Sequence, residues 1–349
     1  MKRNFFPLSL TFATVLVVLS VLAFSTLALT GCGSSKKEAG IIRIGHPSAG
    51  GDWPGNTFGV AITNGYLDEY LAPLGYKYES KSFLGAAPAI HEALVAKELD
   101  YVVYAGMASV LSKANGIDHT LISVTRWGGN WKMVVSSDSG IETLADLKGK
   151  KIAYMRGASP HMYLLKVLNE AGVAFNDIEA INTNLPEGLA GIASGTLDAA
   201  VSSGGQEKQL VQEGIAKVLH TQFYADRDVY FEPSVFIART DFHKEHPEVA
   251  VAIQKAFLKA RDWIREDPDR FFKLSSEKNG IPIELVLETA DYNIDSSTPL
   301  NLDDVYIDSL KGILVFLKNN ELTKGTIDFP SWPDRTIAVR AWEEYNNGK

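Results

Sequence analysis

The sequence holds a single cysteine, Cys32, in 349 residues. No disulfide can form within the chain, and nothing beyond residue 32 offers a thiol nucleophile or a thiolate metal ligand. Catalytic signatures are missing too: there is no G-x-S-x-G elbow, no Walker loop, no H-E-x-x-H and no GxGxxG after a strand. The nearest suggestion of a metal site is His243-Lys244-Glu245-His246, just before Pro247. It has no third ligand nearby in sequence and reads as a solvated helix start. No basic stripe is present, and acidic residues outnumber basic ones by 42 to 34, which argues against nucleic acid as a partner. The expectation is a chain that is not an enzyme and carries no cofactor or metal.

Charge is also missing from a long stretch near the start. After Lys2 and Arg3 no charged residue occurs until Lys36, and the apolar run ends in Leu29-Thr30-Gly31-Cys32. A positive start, an apolar stretch and small residues before a break describe an export signal. The Leu-x-Gly-Cys ending resembles the bacterial lipobox, which implies a lipid on Cys32 and anchorage of the chain to a membrane outside the cytoplasm. An uncleaved membrane-spanning anchor is the alternative. Either way the rest of the chain is expected outside the cytoplasm. Losing Lys2 and Arg3 with the leader takes the net charge from −8 to −10. That favours solubility without excluding an anionic ligand, which responds mainly to the local field.

What is there is an α/β pattern. Gly33–Gly40 is small and polar, a tether. From Ile41 onward short apolar runs alternate with helix-period segments, the mark of a largely parallel sheet. Lys151–Met155 reads as a strand, Ser159 as the cap of a helix with Pro160 at its first turn, Ile178–Ile181 as a strand and Pro186–Ser194 as a helix. Asp198–Val201 and Gln206–Glu213 follow as strand and helix. Pro247–Ile264, Leu302–Leu317 and Ile337–Tyr345 carry helical apolar stripes, expected to be packing faces. A repeat runs beneath this pattern. Pro88, Leu99, Asp100, Val103 and Gly106 recur 98 residues later as Pro186, Leu197, Asp198, Val201 and Gly204, which points to two lobes sharing one βαβ plan.

In such sheets ligands bind beyond the carboxyl ends of the strands. Four loops with small residues stand where helices begin: Gly85-Ala86-Ala87, Ala105-Gly106-Met107, Gly157-Ala158-Ser159 and Ser202-Ser203-Gly204. Helix starts expose unpaired N–H groups and partial positive charge, so they suit an anion. Arg126 and Arg156 sit at strand ends where a guanidinium can grip an oxyanion. Trp53, Tyr104, Trp127, Trp131, Tyr154 and Tyr230 are candidates for the apolar wall of a pocket.

On these residues the chain resembles the binding proteins of ABC importers for sulfonates, taurine and nitrate. The likeness covers roughly 41–264 and is strongest at Leu99–Gly106, at Ile141–Ala153 with its D-L-K-G-K-K-I-A stretch, and at Gly157–Leu165. The resemblance implies the type II periplasmic-binding-protein fold: two doubly wound α/β lobes joined by two crossing segments, expected near 133–137 and 234–239. The lobes would span 41–135 plus 236–349 and 136–235, behind a signal at 1–31 and a tether at 32–40. It implies a monomer that binds a small organic anion, of the aliphatic sulfonate or taurine type, and meets ABC permease and ATPase subunits. The expected ligand-binding set is Gly51, Trp53, Gly85, Ala86, Ala105, Gly106, Trp127, Arg156, Gly157, Ser159, His161, Ser203 and Glu232. The loops 50–55 and 126–131 match no subgroup, so a thiamine-precursor or other aromatic ligand, nitrate, and a sensor on the same fold remain open.

Overall fold

Strand formation begins where β-branched residues alternate with the rest of the chain. In β1 (Gly40–Pro47) Ile42 and Ile44 are fully buried, as expected of a strand with a sheet face on a core. The computed structural model describes residues 40–48, 51–84, 86–128, 131–203, 205–221, 233–287 and 290–348; Cys32, Gly85, Gly204, Tyr230 and Glu232 lie outside them, as does the side chain of Ala86. The remaining strands are β2 (Tyr76–Phe83), β3 (Tyr101–Ala105), β4 (His119–Trp127), β5 (Trp131–Ser136), β6 (Lys151–Tyr154), β7 (Glu179–Asn182), β8 (Ala199–Ser203), β9 (Ala216–Thr221) and β10 (Pro233–Arg239).

They form two five-stranded sheets, ordered β2-β1-β3-β10-β4 and β7-β6-β8-β5-β9. In the first, β1 pairs in parallel with β2 and β3, while β10 runs antiparallel between β3 and β4. The second repeats the plan: β6 is parallel to β7 and β8, and β5 is antiparallel to β8 and β9. The segments 133–137 and 234–239, expected to cross between lobes, instead lie in or against β5 and β10, each within one sheet. The chain changes sheet between Trp127 and Trp131 and again between Thr221 and Pro233. The described residues hold together as one unit.

The 98-residue repeat has a physical cause. Asp100 accepts the backbone N–H of Arg43 through its carboxylate at 2.9 Å and donates its own N–H to the Arg43 carbonyl at 2.9 Å. Its carbonyl takes the N–H of Arg239 from the antiparallel strand at 2.9 Å. Asp198 makes the same three bonds in the second sheet, to Lys151 N–H (2.8 Å), Lys151 carbonyl (3.0 Å) and Ser136 N–H (2.8 Å). The Leu-Asp pair therefore fastens the third strand to the first and to the inserted antiparallel strand. Its role is structural.

Apolar faces follow the expected helical stripes. The helix Pro247–Glu266 buries Val249, Ile253, Ala256, Phe257, Ala260 and Ile264 against one face of the first sheet. The helices Gly106–Ala114 and Asp304–Asn319 cover the other face, and the helix Ser159–Glu170 packs on the second sheet. Met162 of that last helix is buried in the first sheet's cluster, so the two halves touch there. Among the described residues no helix is long and apolar enough to cross a membrane.

A polar chain runs through the first core. Trp332 donates its indole N–H to His119 Nδ1 at 3.3 Å, and His119 Nε2 lies 2.9 Å from Ser112 Oγ, which also lies 3.0 Å from the Tyr104 hydroxyl. Because the indole only donates, His119 is neutral with its proton on Nε2. Burial, then the charge of Lys113, pushes its pKa down to about 3. The unfolded chain takes up this proton near pH 6.5 while the folded one does not, so the stabilisation is present above that pH and lost as pH falls towards 3. Urea titrations between pH 7 and 4 are expected to show stability falling by up to about 1.4 kcal/mol per pH unit from this residue. His119→Gln is expected to flatten that slope.

Candidate functional site

Each parallel strand delivers its carboxyl end, and the helix that follows, to one edge of its sheet. Where the edges of the two sheets meet, they enclose a cavity of about 270 Å³, near the small end of the roughly 300–1,000 Å³ usual for ligand sites. The first sheet contributes His46, Pro47, Ser48, Val103, Tyr104, Thr125, Arg126 and Ser234, with Pro54–Phe58, Ala87, Ile90, Ala105 and Ala108 from its helix starts. The second contributes Trp131, Met155, Ala158, Ser159, Pro160, Leu185 and Ser203.

Five helices begin on this lining: Asn56–Thr63, Ala86–Val95, Gly106–Ala114, Ser159–Glu170 and Leu185–Ala193. At three of them the N-cap is Gly55, Ala105 or Ala158, and no side chain caps the first turn. N-caps of this kind give the leading N–H groups no acceptor of their own. Ser159 was expected to be the cap of its helix. It is instead the first helical residue, its neighbour Ala158 is the N-cap, and its hydroxyl caps nothing. Gly55 and Asn56 both have left-handed backbone, at φ +68° and +49°, which turns the chain abruptly into its helix. Among the described lining residues Arg126 carries the formal charge.

Of the residues singled out from sequence, Ala105, Ser159 and Ser203 come together here, with the weighed alternatives Arg126, Tyr104 and Trp131. Others lie outside the lining. Trp53 lays its ring against Gly59 and donates to the Thr63 hydroxyl at 3.2 Å. Gly51 is exposed and takes a hydrogen bond from the Ser48 hydroxyl on its carbonyl. Trp127 stacks edge-on against Tyr306 at 4.8 Å. Arg156 is exposed and donates from Nε to the Tyr154 hydroxyl at 3.3 Å. Gly157, at φ +74°, donates its N–H to His161 Nδ1 at 3.3 Å. His161 packs against Tyr154 and Phe175, and burial followed by the Arg156 charge lowers its pKa to about 4. The G-x-S-x-H stretch thus puts Ser159 in the cavity while its glycine and histidine shape the turn behind. Gly106 is small for packing, because an added Cβ would stand 2.7 Å from the Pro233 carbonyl oxygen and 3.1 Å from Leu310.

Sequence reasoning passed over His46, Thr57, Thr125, Leu185 and Ser234. The Pro54-Gly55-Asn56-Thr57 run carried a signal, a helix start opened by glycine. The others carry none, since a single polar residue at a strand end does not declare its direction.

Two facing α/β halves with a cleft between them define the periplasmic-binding-protein fold. The chain belongs to the NMT1/THI5-like family, whose model matches residues 82–271. A Bacillus subtilis (strain 168) protein provisionally named aliphatic sulfonates-binding protein is 26% identical, over 95% of this chain and 98% of its own. The alkanesulfonate-binding protein SsuA of Xanthomonas axonopodis pv. citri, solved bound to MOPS, superposes with a TM-score of 0.68 at 21% identity, covering 87% of this chain and 98% of that one. The desulfurization enzyme DSZB also superposes, with a TM-score of 0.68 at 16% identity, covering 88% and 99%. The fold therefore houses both binding and catalysis, and the cavity must decide between them.

Gly106→Ala is expected to lower stability by about 1–3 kcal/mol through overpacking against Pro233 and Leu310. Urea denaturation without ligand checks this; an unchanged midpoint would return Gly106 to the ligand.

Proposed function

We propose that this protein is the extracytoplasmic receptor of an ABC importer and that its cavity takes a small organic anion of the aliphatic sulfonate or taurine type. One observation carries the reading: three helix starts, from both sheets, whose N-caps make no side-chain cap bond, share a cavity lined by Arg126. A multi-oxygen anionic head accepts from several such N–H groups at once and needs no full counter-charge beyond one guanidinium. The sulfonate-binding relative that matches almost end to end agrees with this chemistry.

Binding is favoured over catalysis by the near-full-length relative, named as a binding protein, and by a described lining that includes no cysteine to act as a thiol nucleophile. The two sheets would act as lobes that close on the ligand, since only the closed form offers N–H groups from both. The importer's membrane subunits would read that closed surface. Cys32 would carry the lipid that keeps the receptor at the membrane.

Calorimetry with alkanesulfonates, taurine, nitrate and a neutral pyrimidine tests the ligand class. Ser159→Ala is expected to weaken sulfonate binding about ten- to a hundred-fold, as loss of a hydrogen bond to a charged group does. Arg126→Ala is expected to cost at least as much, and Arg156→Ala little, because its guanidinium lies outside the lining. Tight binding of the pyrimidine, indifferent to Ser159→Ala and Arg126→Ala, would replace the anion with an aromatic ligand.

The anchor has its own test. Metabolic labelling with a fatty acid is expected to mark the wild type and miss Cys32→Ser; equal labelling of both would remove the lipid from Cys32.

A further inference from the structure

Two side-chain atoms of the lining residues are buried without a partner: His46 Nε2 and Thr57 Oγ1. Their residues are 2% and 1% exposed. Both come from the first sheet's side, at the end of β1 and in the first turn of the helix Asn56–Thr63. Phe58, also in the lining, stands edge-on to the imidazole at 5.8 Å.

The imidazole's polarity is fixed. His46 Nδ1 lies 3.0 Å from the Pro47 carbonyl oxygen, which can only accept. The ring proton is therefore on Nδ1, and Nε2 presents a bare lone pair. Burial, opposed by that hydrogen bond and by the charge of Asp52, keeps the ring's pKa below its ordinary value. At neutral pH Nε2 of His46 can only accept. A buried acceptor left unpaired is costly, and proteins satisfy nearly all such groups. An anionic head cannot satisfy this one, because a sulfonate or carboxylate brings only lone pairs.

We propose that the ligand carries, besides its anionic head, a hydrogen-bond-donating group, a hydroxyl, amine or amide, which His46 Nε2 accepts and the Thr57 hydroxyl also meets. This rests on the anion-receptor reading and narrows it. Hydroxy- and amino-substituted short-chain anions are selected, and plain alkyl anions leave His46 unpaired. The selectivity follows the rule that a site built to hydrogen-bond a group rejects the analogue that lacks it. An ordered water on His46 would satisfy the lone pair equally well and would give no selectivity, so the two accounts separate in the ligand series.

Calorimetry on the full chain with two matched series decides. The sulfonate series is ethanesulfonate, 2-hydroxyethanesulfonate and 2-aminoethanesulfonate; the carboxylate series is propanoate, 3-hydroxypropanoate and 3-aminopropanoate. In whichever series binds, a donor-bearing member is expected to bind about ten-fold or more tightly than the plain one. His46→Phe is expected to bring that ratio close to one, and the near-isosteric Thr57→Val to reduce it. Thr57→Val keeps the test alive should His46→Phe fail to fold. Equal binding of plain and substituted members overturns the inference and leaves the anion reading standing. A preference that survives both substitutions overturns it as well. No binding by any member of either series removes both.

Discussion

A parallel strand followed by a helix leaves the helix's first N–H groups pointing out past the sheet's carboxyl edge, with nothing in the helix to receive them. That constraint organises this protein. Two sheets with the same strand plan face each other along those edges, so helix starts of both surround one space. At Gly55, Ala105 and Ala158 the chain places residues whose side chains cannot cap a helix. A serine or aspartate there would satisfy the first turn locally, by about 0.5–2 kcal/mol at each end. At these three N-caps that local satisfaction is withheld.

The rest of the fold holds the two edges in place. Asp100 and Asp198 fasten equivalent strands by equivalent bonds, so each edge starts from the same register. The inserted strands β5 and β10 each follow a passage of the chain from one sheet to the other, which ties the halves together by two routes. Met162, from the second sheet's helix, sits in the first sheet's apolar cluster. Moving the halves apart would expose that methionine. Its burial therefore stabilises the arrangement in which both sets of N–H groups reach the same ligand.

Polar groups fall into two kinds, and the difference separates scaffold from site. His119, Ser112, Tyr104 and Trp332 satisfy one another in a chain of hydrogen bonds. His161 takes the N–H of Gly157. These residues hold shape, and their histidines stay neutral because burial disfavours the charge. His46 and Thr57 are buried as deeply yet keep unpaired atoms on residues that line the cavity.

The sequence by itself determined the class of fold, because apolar periodicity alternates between strand and helix along the chain. It determined the duplication, because Pro88 to Gly106 and Pro186 to Gly204 keep one spacing. It also marked the loops with small residues, since a helix start near a ligand favours them. Only the tertiary structure decided which side chains share the cavity. Ser159 faces it while Gly157 and His161 stand behind, although all three sit in one short stretch. Arg126 lines it and Arg156 does not, although both close a strand. Residue type and spacing say that a guanidinium stands at a sheet edge. Which way it points depends on strand order and on the neighbours packed beside it, and those come from residues a hundred or more positions away. The antiparallel strand that carries Ser234 into the lining begins at Pro233 and returns from the far sheet, a neighbour that local pattern cannot announce.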